Sequence, residues 1–129
     1  MGAREVIMWL PALGLFAGVL IGLIFSVSIP PEYARYTAIA ILAGLDSILG
    51  AARAELEGDY DTSLFLSGLL SNMLLAGLLT YVGDRLGVQL NLAAVVGFGV
   101  RVFGNLAQIR RLLLVRFRRV RTEPTRETS

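Results

Sequence analysis

The sequence predicts an all-α integral membrane protein, a polytopic helical bundle with four membrane segments. Three observations predict it. Apolar residues make up 55% of the 129 residues and mean hydropathy is +0.67, too apolar for a domain that must solvate its whole surface. Those residues fall into four runs, parted by Pro, Gly and charge. Charge is segregated as well: residues 110–129 hold seven Arg and two Glu, a net +5, whereas residues 1–109 hold five Arg and eight acids, a net −3. The domain reading is a transmembrane domain over 1–115 followed by a basic, disordered tail over 116–129. Three spans plus a re-entrant segment is the alternative, because the second run is short.

The first run, Val6 to Ile29, is long enough to span. A cleaved signal peptide is disfavoured, because the run exceeds an ordinary signal core and Arg4–Glu5 gives little positive charge ahead of it. Gly14, Gly18 and Gly22 lie four apart, which makes a flat face where another helix can approach closely. Pro11 is tolerable in a first turn, and Pro30–Pro31 are expected to end the run.

Residues 32–36 (EYARY) are expected to form a short interfacial loop, and the second run follows from Thr37 to Ala52 with Asp46 inside it. Asp46, Gly50 and Arg53 share one helical face. The acidic turn 54–61 (AELEGDYD) precedes a third run, Leu64 to Val82, capped by Thr62 or Ser63 and centred on Asn72. Gly83–Asp84 are expected to end it.

The fourth run starts near Leu90 and passes Arg101 and Asn105 before reaching Arg110–Arg111. Gly97, Arg101, Asn105 and Gln108 follow spacings of four, four and three, one stripe of a helix. Arg101 precedes Arg110 by nine residues, or about 14 Å, roughly half of a hydrocarbon core. Asp46, Asn72 and Arg101 thus come from three segments yet each falls near mid-depth. An isolated charge there costs at least a few kcal/mol on insertion scales. The expectation is that Asp46 and Arg101 pair in the bundle interior, near Asn72 or Asn105, and that swapping both charges is tolerated better than changing either.

Composition excludes much chemistry. There is no Cys and no His, and all twelve basic residues are Arg. Only Asp46 is a carboxylate inside a span, whereas an intramembrane aspartyl protease needs two. Ser67 and Ser71 have no base beside them, so back-bonding to the helix is the better reading. GFGVRVFG (97–104) lacks a P-loop Lys and lies in an apolar helix, so its glycines are read as packing contacts. The expectation is no enzyme, no metal and no cofactor. Arg110, Arg111, Arg116, Arg118, Arg119 and Arg121 set the C-terminus in the cytoplasm and suit anionic lipid; no nucleic-acid fold accompanies them.

Two blocks carry a resemblance. Gly83 to Arg111 reads GDRLGVQLNLAAVVGFGVRVFGNLAQIRR, and Ala38 to Ala54 reads AIAILAGLDSILGAARA. Both resemble the small basic protein family of bacterial membrane proteins, over roughly Met8 to Leu113. The resemblance implies multi-pass membrane proteins often encoded among cell-division and envelope genes, and it brings no activity with it. The residues are read first as structural glue in an accessory or scaffold protein, a homo-oligomer or a partner of other envelope proteins. The alternative is a small transporter or channel component with Asp46 and Arg101 lining its pathway.

Overall fold

The computed structural model describes residues 3–122. Four helices occupy most of them: α1 (Ala3–Ile24), α2 (Pro31–Glu57), α3 (Thr62–Leu86) and α4 (Asn91–Thr122). α2, α3 and α4 are long and apolar enough to cross a membrane, while the apolar part of α1, Trp9–Ile24, is shorter. The second run is an unbroken helix, so the re-entrant alternative does not hold for it.

Several boundaries differ from expectation, each for a local reason. α1 stops at Ile24, well before the prolines, on a left-handed Ser26 with φ 49°. There Val27 N–H donates to the Gly22 carbonyl and Ser26 N–H to that of Leu23, which satisfies two of the helix's last acceptors. Pro30 and Pro31 instead begin α2, since a proline in the first turn gives up an N–H that has no helical partner anyway. EYARY is therefore the first helical turns of α2 and not a loop. α3 likewise runs through Gly83, Asp84 and Arg85 to a left-handed Gly87 with φ 68°. α4 continues to Thr122, so residues 116–122 of the expected disordered tail are helical; residues 123–129 lie outside the described part. Arginine is a good helix former, and Arg119 and Arg121 in the last turn suit its negative dipole end.

The cap of α3 is Asp61 in place of Thr62 or Ser63. Its Oδ1 accepts from Leu64 N–H at 3.0 Å. Asp61→Ala is expected to cost about 1 kcal/mol, measurable as a shifted unfolding midpoint in mixed detergent micelles. No shift would mean that the loop before α3 supplies another acceptor.

α2 is the central helix. It packs against α1, α3 and α4, whereas α3 and α4 touch each other little. α2 and α3 are antiparallel: Arg35 Nη1 meets Asp84 Oδ1 at 2.8 Å near one end, and Asn72 meets Asp46 further along. α2 and α4 are parallel, as Asp46 meets Arg101 and Arg53 meets Asn105. The buried apolar residues form two clusters. Ile39 and Ala43 of α2 join Ala76, Ala94 and Phe98 on one side of Asp46, while Ala51, Tyr60 and Phe65 lie on the other. Most large apolar side chains, among them Phe16, Leu74 and Phe103, are left uncovered by the chain itself. Such a surface is suited to lipid or to other membrane helices.

Candidate polar layer and cleft

Between the two apolar clusters lies a polar layer. Asp46 is fully buried, and its Oδ2 receives both Arg101 Nη2 and Asn72 Nδ2 at 3.3 Å. Three helices thereby converge on one carboxylate oxygen. Both contacts are long for charge-assisted bonds, so the layer is held loosely. The other oxygen, Oδ1, has no hydrogen-bond partner among the described residues, nor has the adjacent Ser47 Oγ.

The helix stripes explain the convergence. The face Asp46–Gly50–Arg53 of α2 lies along the stripe Arg101–Asn105–Gln108 of α4. Asn105 does not join Asp46. Its Oδ1 accepts from Arg53 Nη1 at 3.4 Å, and a Cβ added at Gly50 would stand 3.7 Å from its Nδ2, an ordinary contact. Arg53 also donates to Glu57 Oε1 at 3.0 Å. Arg101 departs from the expected bundle interior, because 59% of its side chain is uncovered. It reaches inward to Asp46 from the outer rim of the seam.

The other sequence-derived residues are placed less tightly. A Cβ added at Gly14, Gly18 or Gly22 would meet nothing within 4 Å, so that face packs on nothing among the described residues. The same holds for Gly97, Gly99 and Gly104, read from the sequence as packing glycines. Ser67 Oγ donates to the Leu64 carbonyl. Arg110, Arg111, Arg116, Arg118, Arg119 and Arg121 are exposed, and none pairs with a carboxylate among the described residues. Arg110, Arg111 and Arg118 line a surface groove together with Leu114 and Val115.

Sequence reasoning missed a cleft of about 210 Å³ along the α2–α3 seam. It leads from Asp59 and Asp61 in the loop, past Gly50 and Gly68, to Asp46, Ser47 and Asn72. The signal was present in the spacing, since Ser47 and Gly50 on α2 recur at helical intervals, as do Gly68 and Asn72 on α3. Which stripes faced each other depended on helix rotation.

Comparison with known proteins places the chain. The model of a family described as "Protein of unknown function (DUF1290)" matches residues 29–114, which include all of α2 and α3 and the membrane part of α4. The chain is 49% identical over 110 residues to the "Small basic protein" of Bacillus subtilis, covering 85% of this chain and 91% of that one. It is 42% identical over 112 residues to the Mycobacterium bovis protein Mb1855 and to Rv1824 of Mycobacterium tuberculosis, covering 81% of this chain and 93% of each. No solved structure matches. With the matched region spanning the whole polar layer, the chain belongs to the DUF1290 family, the small basic proteins that its two sequence blocks resemble.

Proposed function

We propose that the protein is a non-enzymatic accessory or scaffold subunit of the cell membrane that assembles laterally, with itself or with other envelope membrane proteins. The observation that carries this reading is Arg101, at mid-span with 59% of its side chain uncovered. A guanidinium has five N–H donors, and lipid tails accept none of them. A neighbouring transmembrane helix offering acceptors would cover it at least cost. The unfilled glycine face of α1 and the sparse contact between α3 and α4 support the same reading, since each leaves room for a further helix.

In the proposed topology both termini and the 58–61 loop are cytoplasmic, because the arginines of α4 stay on that side. Six arginines there also suit anionic lipid headgroups, each contributing on the order of 1 kcal/mol near the surface. The link to cell division and envelope synthesis comes from the resemblance and belongs to this proposal. A transporter or channel component would need a polar path on both sides of Asp46. The apolar cluster of Ile39, Ala43, Ala76 and Phe98 occupies one side, which weighs against it.

The test is mild-detergent purification from the native cell, with native mass spectrometry of what co-elutes. Oligomers or stoichiometric membrane partners are expected. In the Asp46→Asn/Arg101→Leu double variant, which leaves no buried charge unpaired, their yield should fall at least ~10-fold, about 1.4 kcal/mol of association. A wild-type protein recovered as a lone monomer would sink the proposal.

A further inference from the structure

The cleft and the polar layer together imply something beyond assembly. Asp46 Oδ1 and Ser47 Oγ are buried polar atoms without a protein partner among the described residues, and both residues line the cleft. Leaving such atoms unsatisfied is costly, most of all for a carboxylate oxygen. The cleft offers an answer, because its 210 Å³ holds several waters of about 30 Å³ each. Its wall also supplies the polar partners that a stable water needs: Asn72 at the base and Asp59 and Asp61 at the mouth. Gly50 and Gly68 line it between these two ends, and a Cβ at Gly68 would meet nothing within 4 Å.

The opposite side of Asp46 differs. There the apolar cluster of Ile39, Ala43, Ala76 and Phe98 lies between α2, α3 and α4, with Leu42 and Leu79 packed against it. A recess of about 270 Å³ at the α3–α4 seam reaches Asn72 and Arg101 but is otherwise lined by apolar residues and Gly97. The buried hydroxyl on that side, Thr80 Oγ1, already donates to the Ala76 carbonyl at 2.8 Å.

We infer that the α2–α3 cleft is a water-filled blind vestibule, which opens at the 58–61 loop, hydrates Asp46 and ends there. Its ligand is water and, carried on water, the proton. A hydronium reaching the base can give its proton to Oδ1 and leave as water, and the proton returns by the same route, so nothing crosses the membrane. The groups facing this path are Arg101 from α4, neutral Asn72 from α3, and Asp59, Tyr60 and Asp61 from the loop. The vestibule needs no second copy or partner, so it stands or falls separately from lateral assembly.

The chain has no cysteine, so single cysteines report cleanly on access. Ser47→Cys and Gly68→Cys probe the cleft, Asp59→Cys its mouth, Ala43→Cys the apolar cluster and Leu74→Cys the uncovered outer face. Each variant is placed in sealed vesicles and treated from one side with a small cationic thiosulfonate. Ser47→Cys and Gly68→Cys are expected to react within ~10-fold of Asp59→Cys and from the same side only, whereas Ala43→Cys and Leu74→Cys react at least ~100-fold more slowly. Cleft cysteines no faster than Leu74→Cys would overturn the inference, and so would reaction from both sides, which marks a through-pore.

The unaltered protein gives a second measurement. Phe65 in the cleft wall and Val102 of α4, which lines neither the cleft nor the α3–α4 recess, are 8% and 7% exposed. Hydroxyl radicals generated from water should label Phe65 several-fold faster than Val102 once each rate is divided by the intrinsic reactivity of its side chain. Equal normalised labelling would mean that the cleft is dry.

Discussion

Arg101→Leu is expected to destabilise the fold by about 1–3 kcal/mol, less than for a fully buried ion pair because most of the Arg101 side chain is uncovered and the contact is long. Asp46 has no exposure, and removing Arg101 leaves it only the Asn72 amide at 3.3 Å and whatever water reaches it. Adding Asp46→Asn should recover at least about 1 kcal/mol, because a neutral amide of the same shape has much less to lose on burial. Equilibrium unfolding in mixed micelles measures both variants. If the double variant is no more stable than Arg101→Leu, the pair does not hold the layer. The charge swap suggested by the sequence is a poorer test, since a fully buried position cannot take an arginine without displacing its neighbours.

Gly83→Ala should cost about 3 kcal/mol or more, at the upper end of overpacking effects. A Cβ there would stand 2.5 Å from the Val88 carbonyl oxygen and 3.0 Å from Leu90 N, both backbone atoms that cannot rotate aside. The loop is also tied to the same residue, as Val88 N–H donates to the Gly83 carbonyl at 2.9 Å. The loop would have to lift, carrying the start of α4 with it and loosening Arg101 from Asp46. Gly77→Ala on the same helix is the control. Nothing lies within 4 Å of its Cβ position, so its effect should stay within about 0.5 kcal/mol. Circular dichroism melting of the two variants in one detergent decides the matter; equal melting would show that the loop moves freely.

The fold was legible in the sequence wherever burial in lipid fixes the answer. Four apolar runs became four helices, because a backbone without water must bond to itself. Depth counting brought Asp46, Asn72 and Arg101 to one level for a similar reason, since a charge in hydrocarbon needs a partner at its own height. Helix ends were less legible. Pro31 and Gly83 were read as stops by residue type, yet proline suits a first turn and Gly83 is the floor on which a loop rests. Rotation about each helix axis was legible only in part: the polar stripes of α2 and α4 do face each other, but their register and the facing of α3 were not readable. It decides that Asn105 meets Arg53 and not Asp46, that Arg101 lies at the rim, and that Ser47 opens onto a cleft.

The convergence of α2, α3 and α4 on one oxygen sets an order of events during biosynthesis. Asp46 emerges from the ribosome before either of its partners. Asn72 follows 26 residues later. Arg101 follows about 55 residues later, which at roughly 5–20 residues per second is a delay of about 3–11 s. α2 is the least apolar of the three spanning helices and carries its carboxylate through that interval without a counter-charge. Its insertion is therefore expected to be less secure until α4 supplies Arg101. A nascent chain truncated before Arg101 should leave α2 loosely inserted and open to extraction.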